Sequence, residues 1–228
     1  MNMHTLIAFI MAAAPALFLL YYFYKKDRSH PKSKKMVLKI FLIGIIYTVP
    51  VFGLEQIVSV IYERYQWPPL LAAFFEAFVV AALCEEYIKF RIIKTYVYSS
   101  GHLRKIFDGI MYTVTASLGF ACMENIVFVI NGTMETALNR GLTAVPMHAI
   151  CSGMMGYYIG RARLTASVNR QKNLMNIGLG AAILIHGGYD FLLLISPGYG
   201  SIYSSLAIVF LAIVYLRLRN KIIQSLQD

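Results

Sequence analysis

The chain has 228 residues, of which 58% are apolar and only 14% charged, and its mean hydropathy is +0.62. That balance lies outside the range of a water-soluble globular domain, because most of these side chains gain by leaving water. The net charge of +10 is read as a signal of membrane topology and of contact with anionic lipid, because the basic residues gather in short loops between apolar runs; nucleic acid is not an expected partner.

Apolar runs of about 20 residues, the length that a bilayer core requires, follow one another along the whole chain, about seven in all. They cover residues 3–24, 36–61, 69–93, 106–130, 141–159, 174–195 and 199–218. Alternating polarity is absent and the runs are too long for barrel strands, so each is expected to be a helix that satisfies its own backbone hydrogen bonds. The predicted fold is an all-α, polytopic membrane helical bundle, with residues 1–228 forming a single integral membrane domain.

The first run has no basic segment before it and a cluster from Lys25 through Arg28 to Lys39 after it, so it reads as a retained span and not as a cleavable signal. Glu55 stands near the outer edge of the second. Glu76, Glu85, Glu86 and Lys89 lie in the third, with Arg91, Lys94, Arg104 and Lys105 beyond. Glu124 falls in the fourth between Phe120 and Phe128, a spacing read as packing. Pro146-Met147-His148 opens the fifth, which Arg161, Arg163, Arg170 and Lys172 follow. His186 and Asp190 occupy the sixth, and Arg217, Arg219 and Lys221 close the seventh. All of the 21 basic residues except Arg64 and Arg140 thus fall on one side. Retention of Lys and Arg in the cytoplasm puts the N-terminus outside and the C-terminus inside. Cys84, Cys122 and Cys151 show no metal-type spacing and are read as small packing residues.

Of the 11 acidic residues, Glu55, Glu76, Glu85, Glu86, Glu124 and Asp190 lie inside the apolar runs, together with His148, His186 and Lys89. A charge at mid-helix costs on the order of 2.5 to 3.5 kcal/mol on insertion scales, so their clustering points to a site. Glu85 and Lys89 are four residues apart and share a helix face, as do His186 and Asp190. Glu76 precedes Glu85 by nine residues, about 180° round a 3.6-residue helix, and is expected to face elsewhere; it and Glu55 are left outside the site. Two bland alternatives stand beside this reading: Glu85-Glu86-x-x-Lys89 as an interfacial snorkelling cluster, and His148 as a brace for helix packing. By residue count Glu124, His148 and Asp190 fall in the outer half of their spans and Glu85 nearer the cytoplasmic end of its own. A tilted third helix is needed to bring them level.

Glu85-Glu86-x-x-Lys89, Phe120-x-x-x-Glu124 and His186-x-x-x-Asp190, in that order, resemble the three motifs of the PrsW membrane proteases, which are similar in turn to the CAAX prenyl endopeptidases. Tyr24-Lys25-Lys26-Asp27-Arg28 and Pro146-Met147-His148 also resemble that family. The CAAX enzymes typically carry Arg where Lys89 stands and His where Glu124 stands, which favours PrsW. The resemblance implies a peptidase of the bacterial cell membrane that cuts a single-span, membrane-anchored protein in or near the bilayer, with anti-sigma factors as the substrate type. In such a peptidase Glu85 is the candidate general base, Glu86 shares or orients its proton, and Lys89 offsets their burial. His186, oriented by Asp190, is the candidate for oxyanion or water binding, and Glu124 and His148 complete the polar wall. Four buried carboxylates against the one positive charge of Lys89 call for protons or a cation. Either some carboxylates are neutral, or a Zn²⁺ is held by Glu124, His148 and His186. The rival class is an ion-coupled transporter or channel, for which the duplicated halves with paired broken helices are not found.

Overall fold

The computed structural model describes residues 3–27, 32–62, 64–131 and 133–227; Arg28, counted above in the basic cluster, lies outside them. The described residues are mostly helical, without a strand among them. In chain order they form α1 (Met3–Lys26), α2 (Lys34–Tyr62), α3 (Pro69–Phe75), a π-helical segment (Glu76–Leu83), α4 (Cys84–Tyr96), α5 (Ile106–Asn131), α6 (Met134–Leu142), α7 (Ala144–Arg163), α8 (Val168–Tyr199) and α9 (Ile202–Gln227). The run from Pro69 to Tyr96 is one unbroken rod, and with it taken as one the long helices among the described residues number seven. Helices α2, α5, α8 and α9 are each long and apolar enough to cross a membrane on length and composition alone.

The outer surface has the polarity of a protein dissolved in lipid. Ile46 and Ile57 of α2, Leu184 of α8 and Ile213 of α9 all point outward and are well exposed, an arrangement that water would penalise and hydrocarbon does not. Helix α5 runs through the middle of the bundle, and every residue from Phe107 to Cys122 is buried. Small residues let its neighbours approach closely. A Cβ on Gly156 of α7 would strike the backbone of Gly109 and Ile110, and one on Gly44 of α2 would strike the carbonyl of Ala116. Contacts this close replace the hydrophobic drive that lipid does not supply between helices. The start of α5 is pinned by Asp108, whose Oδ2 accepts from the backbone N–H groups of Arg104 (2.8 Å) and Lys105 (2.9 Å). Its other oxygen pairs with Lys32, which also bonds Asp27 at 2.8 Å.

The structure departs from the sequence reading at two places that matter for the site. Pro69 starts the third rod at the first-turn position where its missing N–H costs nothing. Seven residues later i→i+5 bonding widens the helix through Glu76–Leu83. A 3.6-residue count across that stretch misplaces everything before it. Glu76 accordingly lines the same cavity as Glu85 and does not face away as expected; Glu55 of α2, left outside the site for its place near the outer edge, lines the cavity too. The expected fifth span is also split: α6 is a separate short helix, and the longer helix α7 begins only at Ala144. Gly141, at the end of α6, packs on Pro15 of α1.

Candidate active site

Helix α4 builds the centre of the site. Its i, i+3 and i, i+4 spacing brings Glu86 and Glu85 round to Lys89, whose ammonium donates to Glu85 Oε2 (2.8 Å) and Glu86 Oε1 (2.7 Å). The third ammonium proton goes across the bundle to His148 Nδ1 of α7, 3.0 Å away. Lys89 is fully buried, as is Glu86, while Glu85 keeps 5% exposure. A lysine has three donors and no acceptor, so this ammonium is saturated. The ring of Phe120 lies under it at 4.5 Å and adds a cation–π contact.

The Lys89 contact fixes the tautomer of His148. Because Nδ1 faces a group that can only donate, it must accept, and the ring proton sits on Nε2. From there it is donated to Glu124 Oε2 of α5, at 2.8 Å. The other oxygen of Glu124 accepts from Arg140 Nη2 of α6 at 2.7 Å. Arg140 itself rests on the ring of Phe128, with Cζ 3.7 Å from the centroid. The two phenylalanines read as packing residues therefore each back a cation, one on either side of Glu124. Ser117 holds the backbone of the same turn by donating to the His148 carbonyl at 3.0 Å.

His186 of α8 stands between two carboxylates. Nδ1 is 2.9 Å from Glu86 Oε1 and Nε2 is 3.1 Å from Asp190 Oδ2. Its ring meets that of His148 edge-on with centroids 5.1 Å apart. The ring serves both only by donating at each nitrogen, and it would offer a lone pair to a metal once one of these contacts is given up. Glu86 gains further weak donors from Ser152 Oγ (3.4 Å) and Cys151 Sγ (3.6 Å). Glu85, Glu86, Lys89, Glu124, His148 and His186 are thus joined in one hydrogen-bonded network, with Asp190 at its rim. Three of these contacts, Lys89 to His148, His148 to Glu124 and His186 to Glu86, cross between helices, so residues that seemed to lie at different depths share one level.

A cavity of about 1060 Å³ opens on this network. Glu85, Glu124, His148, His186 and Asp190 reach its wall, whereas Glu86 and Lys89 lie behind and do not. Arg140 lines it too and was not foreseen. Its one sequence signal was negative: it is a basic residue on the side where almost none occur. Glu124, Asp190, Glu85 and Glu86 still outnumber the fixed cations Lys89 and Arg140, which leaves room for an imidazolium or a divalent ion.

The side chains suit a metal. Donor atoms of Glu85, Glu86, His148 and His186, all buried, lie within 4.8 Å of one another. Two imidazoles and two carboxylates are a donor set that zinc accepts. Lys89 already takes three of those four donors, including the one lone pair of His148, so a metal ion here would stand in place of the ammonium. This converging group is not the Glu124, His148 and His186 set drawn from sequence. Glu124 stands one bond further out, taken up by the far nitrogen of His148 and by Arg140.

Comparison with known proteins gives a consistent picture. Residues 32–216 match the family model described as PrsW family intramembrane metalloprotease. The chain is 34% identical over 187 residues to a Protease PrsW from Geobacillus kaustophilus, covering 82% of this chain and 80% of that one. It is 36% identical over 180 residues to the Protease PrsW of Bacillus subtilis, covering 79% of each. Against the Protease PrsW of Clostridioides difficile it is 30% identical over 213 residues, or 91% of this chain and 86% of that one. No solved structure matches.

Proposed function

The chain belongs to the PrsW family of intramembrane metalloproteases, and from that premise we propose that its buried carboxylate–histidine network hydrolyses a peptide bond in or beside the membrane segment of a single-span protein of the anti-sigma-factor type. The observation that carries this reading is the unequal exposure of two adjacent carboxylates. Glu85 reaches the cavity, while Glu86 and Lys89 are sealed behind it.

Glu85 Oε2 is tied to Lys89, and Oε1 is left to take a proton from water and return it to the departing amine. Lys89 holds that carboxylate in position through the bond to Oε2. His186, anchored by Glu86 at Nδ1, would turn its Nε2–H from Asp190 at the cavity rim to the oxyanion that develops on the attacked carbonyl. His148 and Glu124 fix the position of Lys89, and Arg140 holds Glu124. Zn²⁺ bound among Glu85, Glu86, His148 and His186, in place of the Lys89 ammonium, would supply Lewis-acid polarisation of the carbonyl and activation of water. A peptide bond inside a helix is shielded by its own hydrogen bonds, so the substrate segment unwinds to enter the cavity. Asn139, Arg140 and Ser59 line the cavity near the ends of α6 and α2 that lie away from the basic loops, which supports an opening toward the outer leaflet, with the N-terminus outside and the C-terminus in the cytoplasm.

The test is Glu85→Gln, close in shape but unable to take a proton. Cleavage of a single-span reporter in proteoliposomes should fall by about 10² to 10⁴ while insertion and yield hold. Zinc measured on the purified wild type should be near stoichiometric, and a chelator should abolish cleavage. Full proteolysis by Glu85→Gln would end the proposal, as would a wild type that moves ions across liposomes and cuts no single-span substrate.

A further inference from the structure

On the opposite side of α7 from the catalytic cavity lies a second, apolar groove of about 490 Å³, walled by α1, α7 and α9. It shares no lining residue with the first cavity. Met147 and His148 face the catalytic side, and their neighbours Pro146, Ala149 and Ile150 floor the groove. Whatever fills it lies against the helix that carries His148.

Its shape and polarity specify the occupant. Along α1 the groove runs from Phe18 to Lys26, roughly 12 Å at 1.5 Å per residue. The Phe18 and Pro146 end is hydrocarbon. Lys26 of α1 and Arg219 of α9 both line the groove and are both exposed, with no carboxylate among the lining residues. Lys26 is not free to wander: its ammonium donates to the hydroxyl of Tyr22, itself in the groove wall, at 2.7 Å, and sits 4.8 Å from that ring. Two exposed cations beside an apolar slot as long as part of a fatty chain complement one amphiphile: an anionic head with a hydrocarbon tail. An apolar protein helix would leave both cations without a counter-charge.

We propose that this groove is a binding site for an anionic phospholipid of the surrounding bilayer, one acyl chain lying along α1 against Pro146 and Ile150 and the headgroup held by Lys26 and Arg219. Each basic contact at the membrane surface contributes about fivefold in affinity, so the pair gives roughly 25-fold preference for an anionic over a zwitterionic headgroup.

Full-length protein in detergent, offered equal amounts of dioleoyl phosphatidylglycerol and dioleoyl phosphatidylcholine and read by native mass spectrometry, should retain the former by that margin. Lys26→Gln/Arg219→Gln, both exposed and remote from the catalytic network, should bring the ratio near unity with an unchanged melting temperature. Phosphatidylglycerol with a photoreactive acyl chain should label residues 18–26, 146–150 or 215–223. Running the Glu85→Gln variant in parallel separates this site from the protease assignment, since its lipid retention should equal that of wild type. Equal retention of both lipids by wild type would overturn the proposal. Labelling spread over the exposed faces of α2 and α8, or a substrate segment or second copy of the chain crosslinked in the groove in place of lipid, would do the same.

Discussion

Replacing Lys89 by Met keeps the length of the side chain and deletes the charge that makes two buried glutamates tolerable. In the wild type the ammonium meets Glu85 at 2.8 Å, Glu86 at 2.7 Å and His148 Nδ1 at 3.0 Å, with no exposure to solvent. Removing one partner of a buried ion pair destabilises by about 3 to 5 kcal/mol, because the remaining charge is left without compensation. One glutamate can take up a proton in response, which keeps the loss within that range although two carboxylates are involved. At about 2 to 4 °C per kcal/mol for a chain of this size, melting should fall by roughly 6 to 20 °C. A thiol-reactive dye reads this directly, since Cys122 and Cys151 are buried and react only as the bundle opens. Adding Glu86→Gln to Lys89→Met should recover part of the loss, because it removes one of the stranded charges; the shortfall from additivity measures the coupling. Proteolysis should stay low in both. A Lys89→Met protein that melts within about 2 °C of wild type and still cleaves substrate would refute the view that this ammonium holds the carboxylates in place.

Arg140→Ala should lower kcat/KM for a single-span substrate by about ten- to a hundredfold, the worth of one charge-assisted hydrogen bond to Glu124, with Arg140→Lys recovering part of it. Gly156→Ala should cost about 1 to 3 kcal/mol, visible as a lower melting temperature, because its Cβ meets backbone of α5 that cannot move aside; Gly53→Ala on α2, where nothing lies within 4 Å, is the control and should not destabilise. Reporter fusions should place the residues after Arg217 in the cytoplasm and the N-terminus outside, and a C-terminal reporter active outside the cell would reverse the topology argued from the basic loops.

Relations within a single helix were legible in the sequence, because the 3.6-residue period and the length of apolar runs are local properties. They gave the all-helical bundle, the face shared by Glu85 and Lys89, and the pairing of His186 with Asp190, which the structure returns as contacts of 2.8 and 3.1 Å. A period carries no information about how far one helix slides or turns against the next. That is decided where α5 and α7 meet at Gly109 and Gly156 and where α2 meets α5 at Gly44, contacts set by backbone approach at points distant in the chain. Only the tertiary structure therefore brought Lys89 to His148 and Glu86 to His186, set Arg140 against Glu124, and drew the four donors of a candidate metal site together. Glu76 shows the limit even within one rod: a turn of i→i+5 bonding, invisible as hydropathy, moved it into the cavity with Glu85.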